Sequence, residues 1–360
     1  MNWTSLDRRG GRALQGPAWA GRGVHAASGG GGESPAWAGG NSPDPIRIDR
    51  NVAFARAVLD GLSKPQKSVP GEWLYDQRGA DLFEQIAELP EYYATRTEIE
   101  LLDRHAGEIA AAVGAGAVVV EYGQGTGRKT PLLLAALERP QAYLPMVRPA
   151  NHLDEALRRL RRDFSGLVMH PLRADFGAPV NLPGRVCEAA GARLGFVPGS
   201  TLGSLSPDAA VAFLQGMAHT LGPCGMMLIG IDMTRDIKLL MPAYADPAGV
   251  TEAFNRNLLR RINRELDADF LPAAFRYQAR YDPALGRVEM HLVSRWRQHV
   301  QVLGQGFDFA TGESIRTENS YKYLIADFQA LAQRAGWSAA RCWYDTQQRF
   351  SLHLLRRSPA

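Results

Sequence analysis

The chain has 360 residues, 45% of them hydrophobic and 22% charged, with a formal net charge of +4. That length supports two compact units and a sizeable core, while so mild a charge argues against nucleic acid or a membrane surface as partner. Cys187, Cys224 and Cys342 lie far apart without a C-x-x-C, which suits a reducing compartment and offers no metal site.

Residues 1–44 are rich in Gly, Ala and Ser, include four successive glycines from Gly29, and repeat Pro-Ala-Trp-Ala-Gly at Pro17 and Pro35. They read as a disordered tail. No apolar h-region follows the early arginines, and the run from Ile109 to Val120 is too short to span a bilayer. The expectation is a cytoplasmic, monomeric protein.

Order is expected from Pro45. Val52, Ala55, Leu59 and Leu62 recur at helical spacing over 51–62, and Pro65 ends that helix. A loop from Lys67 to Asp76 carries Trp73 and Tyr75. A short helix over 79–88 is broken by Leu89-Pro90-Glu91-Tyr92-Tyr93, and Thr97 is placed as the cap of a helix reaching Ala112. Strands are expected at 118–122, 142–147, 167–172, 193–197 and 225–232, with helices between them at 153–163 and 207–221. This alternation specifies a parallel, doubly wound sheet.

After Asp232 the rhythm changes. An amphipathic helix starting at Thr251 places Phe254, Leu258, Ile262 and Leu266 on one face, and strands at 275–281 and 287–296 flank a turn at Asp282–Gly286. A helix over 323–335 ending at Gly336 and strands at 338–344 and 350–355 close the chain. The expected division is a sheet domain from 98–234 and 323–360, plus a second α+β domain from 45–97 and 235–322.

The most informative stretch is Val118-Val119-Val120-Glu121-Tyr122-Gly123-Gln124-Gly125-Thr126-Gly127. A buried strand here delivers a glycine turn that lets backbone approach a ligand. A dinucleotide fold would need a third glycine where Arg128 stands. The E-x-G-x-G-x-G pattern instead resembles the first motif of S-adenosylmethionine (SAM) methyltransferases.

Further segments, in order, resemble the L-histidine Nα-methyltransferases of ergothioneine biosynthesis. They include Trp73-Leu74-Tyr75-Asp76, Leu89-Pro90-Glu91-Tyr92-Tyr93, Gly199-Ser200-Thr201-Leu202-Gly203, Ala243-Tyr244, Phe254-Asn255-Arg256-Asn257, Glu289-Met290 and Thr317-Glu318-Asn319-Ser320. The resemblance runs from about Lys67 to Leu355. It implies a SAM-methyltransferase sheet with a closing antiparallel strand pair, SAM as cofactor, and histidine as the small-molecule substrate whose α-amine becomes trimethylated (hercynine). It implies cofactor contacts at Gly123, Gly125, Lys129, Asp175 and Phe176, and substrate contacts at Tyr92, Ser204, Tyr244, Met290, Glu318 and Ser320. Tyr75, Tyr92 and Tyr244 are the hydroxyl candidates for orienting the amine. No metal is implied.

Two positions depart from the family. Val147 stands where an aspartate usually clasps the ribose, and valine accepts no hydrogen bond. Ser204 replaces the asparagine that usually holds the substrate's main-chain end, and Gln124 enlarges the glycine turn. Two other readings therefore stay open: methylation of another amine, such as a tryptophan-like one, or a degenerate SAM fold that only binds.

Overall fold

The structure, a computed structural model, describes residues 45–123, 128–147, 153–173, 178–184 and 191–358. Its centre is a parallel sheet. The five residues of β1 (Val118–Tyr122) are all buried, as are the eight of β6 (Gly225–Asp232). A strand covered on both faces is a continuous apolar run, and both sequences read that way. With β2 (Ala142–Val147), β3 (Val168–Met169), β4 (Leu172–Arg173), β5 (Arg193–Val197), β12 (Trp337–Tyr344) and β13 (Phe350–Arg357), the order is β12-β13-β6-β5-β1-β2-β3, and β4 also pairs with β2. β13 lies antiparallel to both neighbours, so it alone reverses the sheet. The doubly wound sheet with a closing antiparallel pair is thus as expected. β1 sits between β2 and β5, where the strand order reverses, and the crevice of such sheets opens at the carboxyl ends there.

Ten helices accompany the strands in the described residues: α1 (Pro45–Leu62), α2 (Gln77–Glu88), α3 (Tyr93–Arg104), α4 (Ala106–Val113), α5 (Lys129–Ala136), α6 (Leu153–Asp163), α7 (Pro207–Leu221), α8 (Ile237–Tyr244), α9 (Val250–Glu265) and α10 (Ile325–Arg334). The expected start of α7 holds: Ser206 accepts from the Ala209 N–H at 3.3 Å and Pro207 opens the helix. Two expectations need correction. Thr97 is no cap, because it lies inside α3 with its hydroxyl on the Tyr93 carbonyl at 3.0 Å, and the helix breaks at His105 rather than running to Ala112. The single strand over 167–172 is two short ones, β3 and β4.

Beyond the sheet, β7 (Phe275–Asp282), β8 (Arg287–Ser294) and β11 (Ser314–Tyr321) form an antiparallel sheet, and β9 (Gln298–Val302) pairs with β10 (Gln305–Phe309). No element was expected over 297–322. Yet Val300, Val302, Phe307 and Phe309 alternate with exposed residues, the period of a half-buried hairpin, and Leu303-Gly304 turns it at positive φ. These strands pack with α1, α2 and α9 around Phe54, Phe254, Leu258, Ile262, Phe275 and Phe309. Trp337 anchors the sheet's other face, with its indole N–H on the Leu214 carbonyl at 2.9 Å.

The junction of α8 and α9 depends on Asp246. Its carboxylate accepts from the Val250 and Thr251 N–H groups at 2.9 and 2.8 Å. Burial works against its ionisation, but the bonds from Thr251 and Val250 hold the carboxyl below its usual range. A depressed folded-state value means the stabilisation is full above the unfolded value and fades as pH falls through the folded one. Asp246→Ala is therefore expected to lower stability by about 1–2 kcal/mol near neutral pH, measured by urea unfolding, with a smaller difference in acid.

Candidate active site

The cofactor side is built at the carboxyl ends of β1, β5 and β6. Glu121 ends the apolar run of β1, and its carboxylate accepts from the Thr130 and Tyr143 hydroxyls at 2.8 and 2.7 Å. Burial pushes its pKa to about 7 against the pull of those bonds. It ties β1 to the start of α5 and to β2. One residue into α5 territory, the Lys129 ammonium lies 2.5 Å from Glu98 of α3. Glu98 is fully buried and also accepts from the Gly199 N–H just beyond β5, at 2.8 Å. A Cβ on Gly230 of β6 would stand 2.2 Å from Glu98 Oε1, so that glycine makes the niche for the carboxylate.

The Lys129 ammonium, held by the buried Glu98 and itself partly exposed at the sheet's rim, matches the carboxylate of a methionine end. The residues present thus fit SAM. Gly125, Asp175 and Phe176, together with Gln124, lie outside the described residues, as does the side chain of Val147, whose backbone ends β2 opposite Arg173.

The other side of the candidate site is an aromatic box. Tyr92, at the start of α3, has its ring 6.3 Å from that of Tyr244 and 6.2 Å from that of Phe83. Tyr75 packs edge-on against Phe83 and Phe254 at 5.4 and 5.2 Å. Tyr277 of β7 donates to the Tyr244 carbonyl at 2.6 Å. Glu318 and Ser320, two residues apart on β11, share a face, and Glu318 is in register with Met290 on β8. Met290 is buried, and the Asn255 amide donates to its sulfur at 3.5 Å. Asn255 is fixed in turn by the Thr317 hydroxyl at 2.5 Å. A Cβ on Gly71 would come within 2.8 Å of Glu318 Cγ, so the loop before Trp73 closes over this carboxyl.

Burial sets the electrostatics. It raises the pKa of Tyr75 and Tyr92, with Glu318 and the neighbouring tyrosines adding to the shift. It raises that of Tyr244 too, with Asp232 adding. These phenols stay protonated at neutral pH and act as donors or orienting groups, not as bases. Burial also pushes Glu318 to about 8, opposed by Lys322. Among the described residues Glu318 has no hydrogen-bond partner, so its oxygens are available to a ligand.

The structure thus brings together Tyr75, Tyr92, Tyr244, Met290, Glu318 and Ser320. Ser204 makes none of these contacts: it closes a 3-10 turn (Thr201–Ser204), is exposed, and gives its hydroxyl hydrogen to the Thr201 carbonyl at 2.9 Å.

Sequence reasoning missed the polar centre between the two sides. Lys322 is buried and lies 2.5 Å from Asp232 Oδ2, 2.7 Å from Tyr244 Oη and 2.9 Å from Ser320 Oγ. Tyr93 donates to Asp232 at 2.8 Å, and Ser200 accepts from the Asp232 N–H at 3.0 Å. The signal was present for Asp232, a carboxylate ending an apolar strand at a sheet's carboxyl edge. For Lys322 there was none, since a lysine after a strand ordinarily reads as solvated.

Comparison with known proteins agrees with this geometry. A family model described as "Histidine-specific methyltransferase, SAM-dependent" matches residues 54–357. The histidine N-alpha-methyltransferase of Mycobacterium tuberculosis (strain CDC 1551 / Oshkosh) is 39% identical over 309 residues, 84% of this chain and 95% of its own. That of Mycolicibacterium smegmatis is 40% identical over 310 residues, 85% of this chain and 95% of its own. Ergothioneine biosynthesis protein 1 of Neurospora crassa is 30% identical over 305 residues, 81% of this chain and 33% of its own. With the match spanning both the sheet and the aromatic box, the chain belongs to the SAM-dependent histidine-specific methyltransferase family.

Proposed function

We propose that this protein transfers methyl groups from SAM to the α-amine of L-histidine, giving trimethylhistidine for ergothioneine biosynthesis. The observation that carries the reading is the pairing of Glu318 and Ser320 on one face of β11 beside three tyrosines. A carboxylate accepts from a ring N–H, and a hydroxyl serves the other ring nitrogen. In this reading the sheet segments 98–234 and 323–360 hold the cofactor, and 45–97 with 235–322 hold the amino acid. Among the described residues no helix is long and apolar enough to cross a membrane. The three isolated cysteines suit a reducing compartment such as the cytoplasm.

SAM, when bound, supplies a methyl group made electrophilic by its sulfonium. The chain's part is positioning in dry surroundings. Lys129, held in place by the buried Glu98, meets the carboxylate of the methionine end. Tyr75, Tyr92 and Tyr244 orient the amine through hydroxyls, and their ring faces tolerate a growing methylammonium charge. With every one of these phenols held protonated, the amine loses its proton to solvent. The exposed hydroxyl of Ser204, engaged with the Thr201 carbonyl, favours a second reading, in which the main-chain end is held loosely and another amine is accepted.

Purified protein with SAM and histidine is expected to yield mono-, di- and trimethylhistidine by mass spectrometry. The same assay with tryptophan-like amines decides between the two readings, and no methylated histidine at high SAM rejects the first. Val147→Asp is expected to tighten SAM binding by about ten- to hundredfold in calorimetry. An unchanged affinity would mean that another group already holds the ribose.

Glu318 also ties the site to stability. Its folded value of about 8 lies above the unfolded one, so the folded state keeps a proton that the unfolded chain loses. Wild-type stability therefore declines as pH rises from about 4.5 to about 8. Glu318→Gln removes that slope. Relative to wild type it should gain on the order of 1–3 kcal/mol between these limits, allowing for solvent screening of a half-buried group. Its kcat/KM for histidine should fall about tenfold or more. Urea unfolding across pH and steady-state kinetics check the two effects.

A further inference from the structure

Lys322 has three N–H donors, and three acceptors surround it: Asp232 Oδ2 at 2.5 Å, Tyr244 Oη at 2.7 Å and Ser320 Oγ at 2.9 Å. Its ammonium also lies 4.7 Å from the centre of the Tyr244 ring. No donor is left over for a substrate. Asp232, the balancing charge, is itself fixed by the Tyr93 hydroxyl and the Thr234 N–H at 2.8 and 3.1 Å.

This arrangement constrains the two hydroxyls. Tyr244 and Ser320 lie 2.7 Å apart, so one of them donates to the other. Each oxygen also accepts from Lys322. Of the two hydroxyl hydrogens, one is spent between them and one is left to point outward. A phenol is the stronger donor and the poorer acceptor, which makes Tyr244 the internal donor. Ser320 then has both lone pairs occupied and its O–H free to turn toward the box.

We propose that Lys322 is a positioning residue that fixes the direction of these hydroxyls, so that Ser320 meets the substrate ring as a donor only. The inference rests on the reading of the site as a histidine site and deepens it. The ring nitrogen facing Ser320 must then carry a lone pair, and the ring N–H faces Glu318, whose carboxyl has an oxygen to accept it. Lys322 thereby selects one tautomer of a neutral ring and discriminates against rings without a basic nitrogen. A site with a donor aimed at a ring position strongly disfavours an analogue that cannot accept there.

The test compares histidine with thienylalanine, a five-membered-ring analogue with no basic nitrogen, by kcat/KM and by binding calorimetry with S-adenosylhomocysteine present. Wild type should prefer histidine. Lys322→Met and Lys322→Gln both abolish the ion pair with Asp232, but only Gln keeps N–H donors near the hydroxyls. The preference should drop about tenfold or more in Lys322→Met and hold within about threefold in Lys322→Gln. Equal changes in the two variants, or no change in Lys322→Met, overturn the proposal, because a purely structural lysine would affect both alike. S-adenosylhomocysteine affinity reports that each variant is folded.

Should neither variant fold, Ser320→Ala decides. It removes the donor and leaves Lys322 on Asp232 and Tyr244, so the preference for histidine should drop about tenfold or more. A preference held within about threefold would mean that Ser320 gives no hydrogen to the ring and would overturn the proposal. Wild type that binds neither amino acid removes the histidine reading and this inference with it. Wild type with a clear preference that every variant retains removes only the role of Lys322.

Discussion

One buried ion pair, Lys322 with Asp232, joins the parts of this molecule that must act together. Both side chains are almost wholly shielded from water. Asp232 ends the central strand β6, and Lys322 directly follows β11 of the antiparallel sheet. Tyr93 brings in α3 and Tyr244 brings in α8. Taking two charges out of water costs several kcal/mol per ion before their attraction offsets it, so such a pair persists only with its remaining hydrogen bonds filled. Here four groups fill them: the hydroxyls of Tyr93, Tyr244 and Ser320 and the Thr234 N–H. The pair is weak evidence for stability and better evidence for geometry, because it fixes where β11 stands against the carboxyl edge of the parallel sheet.

The same logic repeats on the cofactor side at smaller scale. Glu98 reaches from α3 to the backbone beyond β5 and to Lys129 at the start of α5. A single helix, α3, therefore sends Glu98 to the cofactor end and Tyr93 to the polar centre, with Tyr92 at its start on the substrate side. These three anchor points lie within seven residues, so a shift of α3 would disturb cofactor, centre and substrate at once. The hydrophobic face of α3, with Leu101 and Leu102 buried against the sheet, resists such a shift.

Much of this was legible beforehand, and the reasons differ by residue. β1, β5, β6 and α7 match their expected limits because an apolar run between turn signals, or a Ser-Pro start with a glycine stop, is a local instruction. β9 and β10 were missed although their alternation is clear, because charged and amide residues interrupt it. Thr97 was misplaced because a threonine before a helical run serves equally well as a cap or as an interior residue bonding back one turn. In the site, the tyrosines, Glu318 and Ser320 were reached only through resemblance, since nothing local marks them. Lys322 escaped even that. A lysine becomes a buried centre through partners 90 and 78 residues away, and no window along the chain contains them.

Gly71 and Gly230 share a property that alignments by chemistry overlook. Each leaves room, by having no side chain, for a carboxyl group of a different element: Glu318 in one case, Glu98 in the other. Both carboxyl groups thus owe their room to a neighbour that has no side chain. A methyl group added at either glycine would force that glutamate's side chain to shift, while every recognisable functional residue stayed in place. In this fold, loss of specificity has a silent route, and it runs through residues defined by absence.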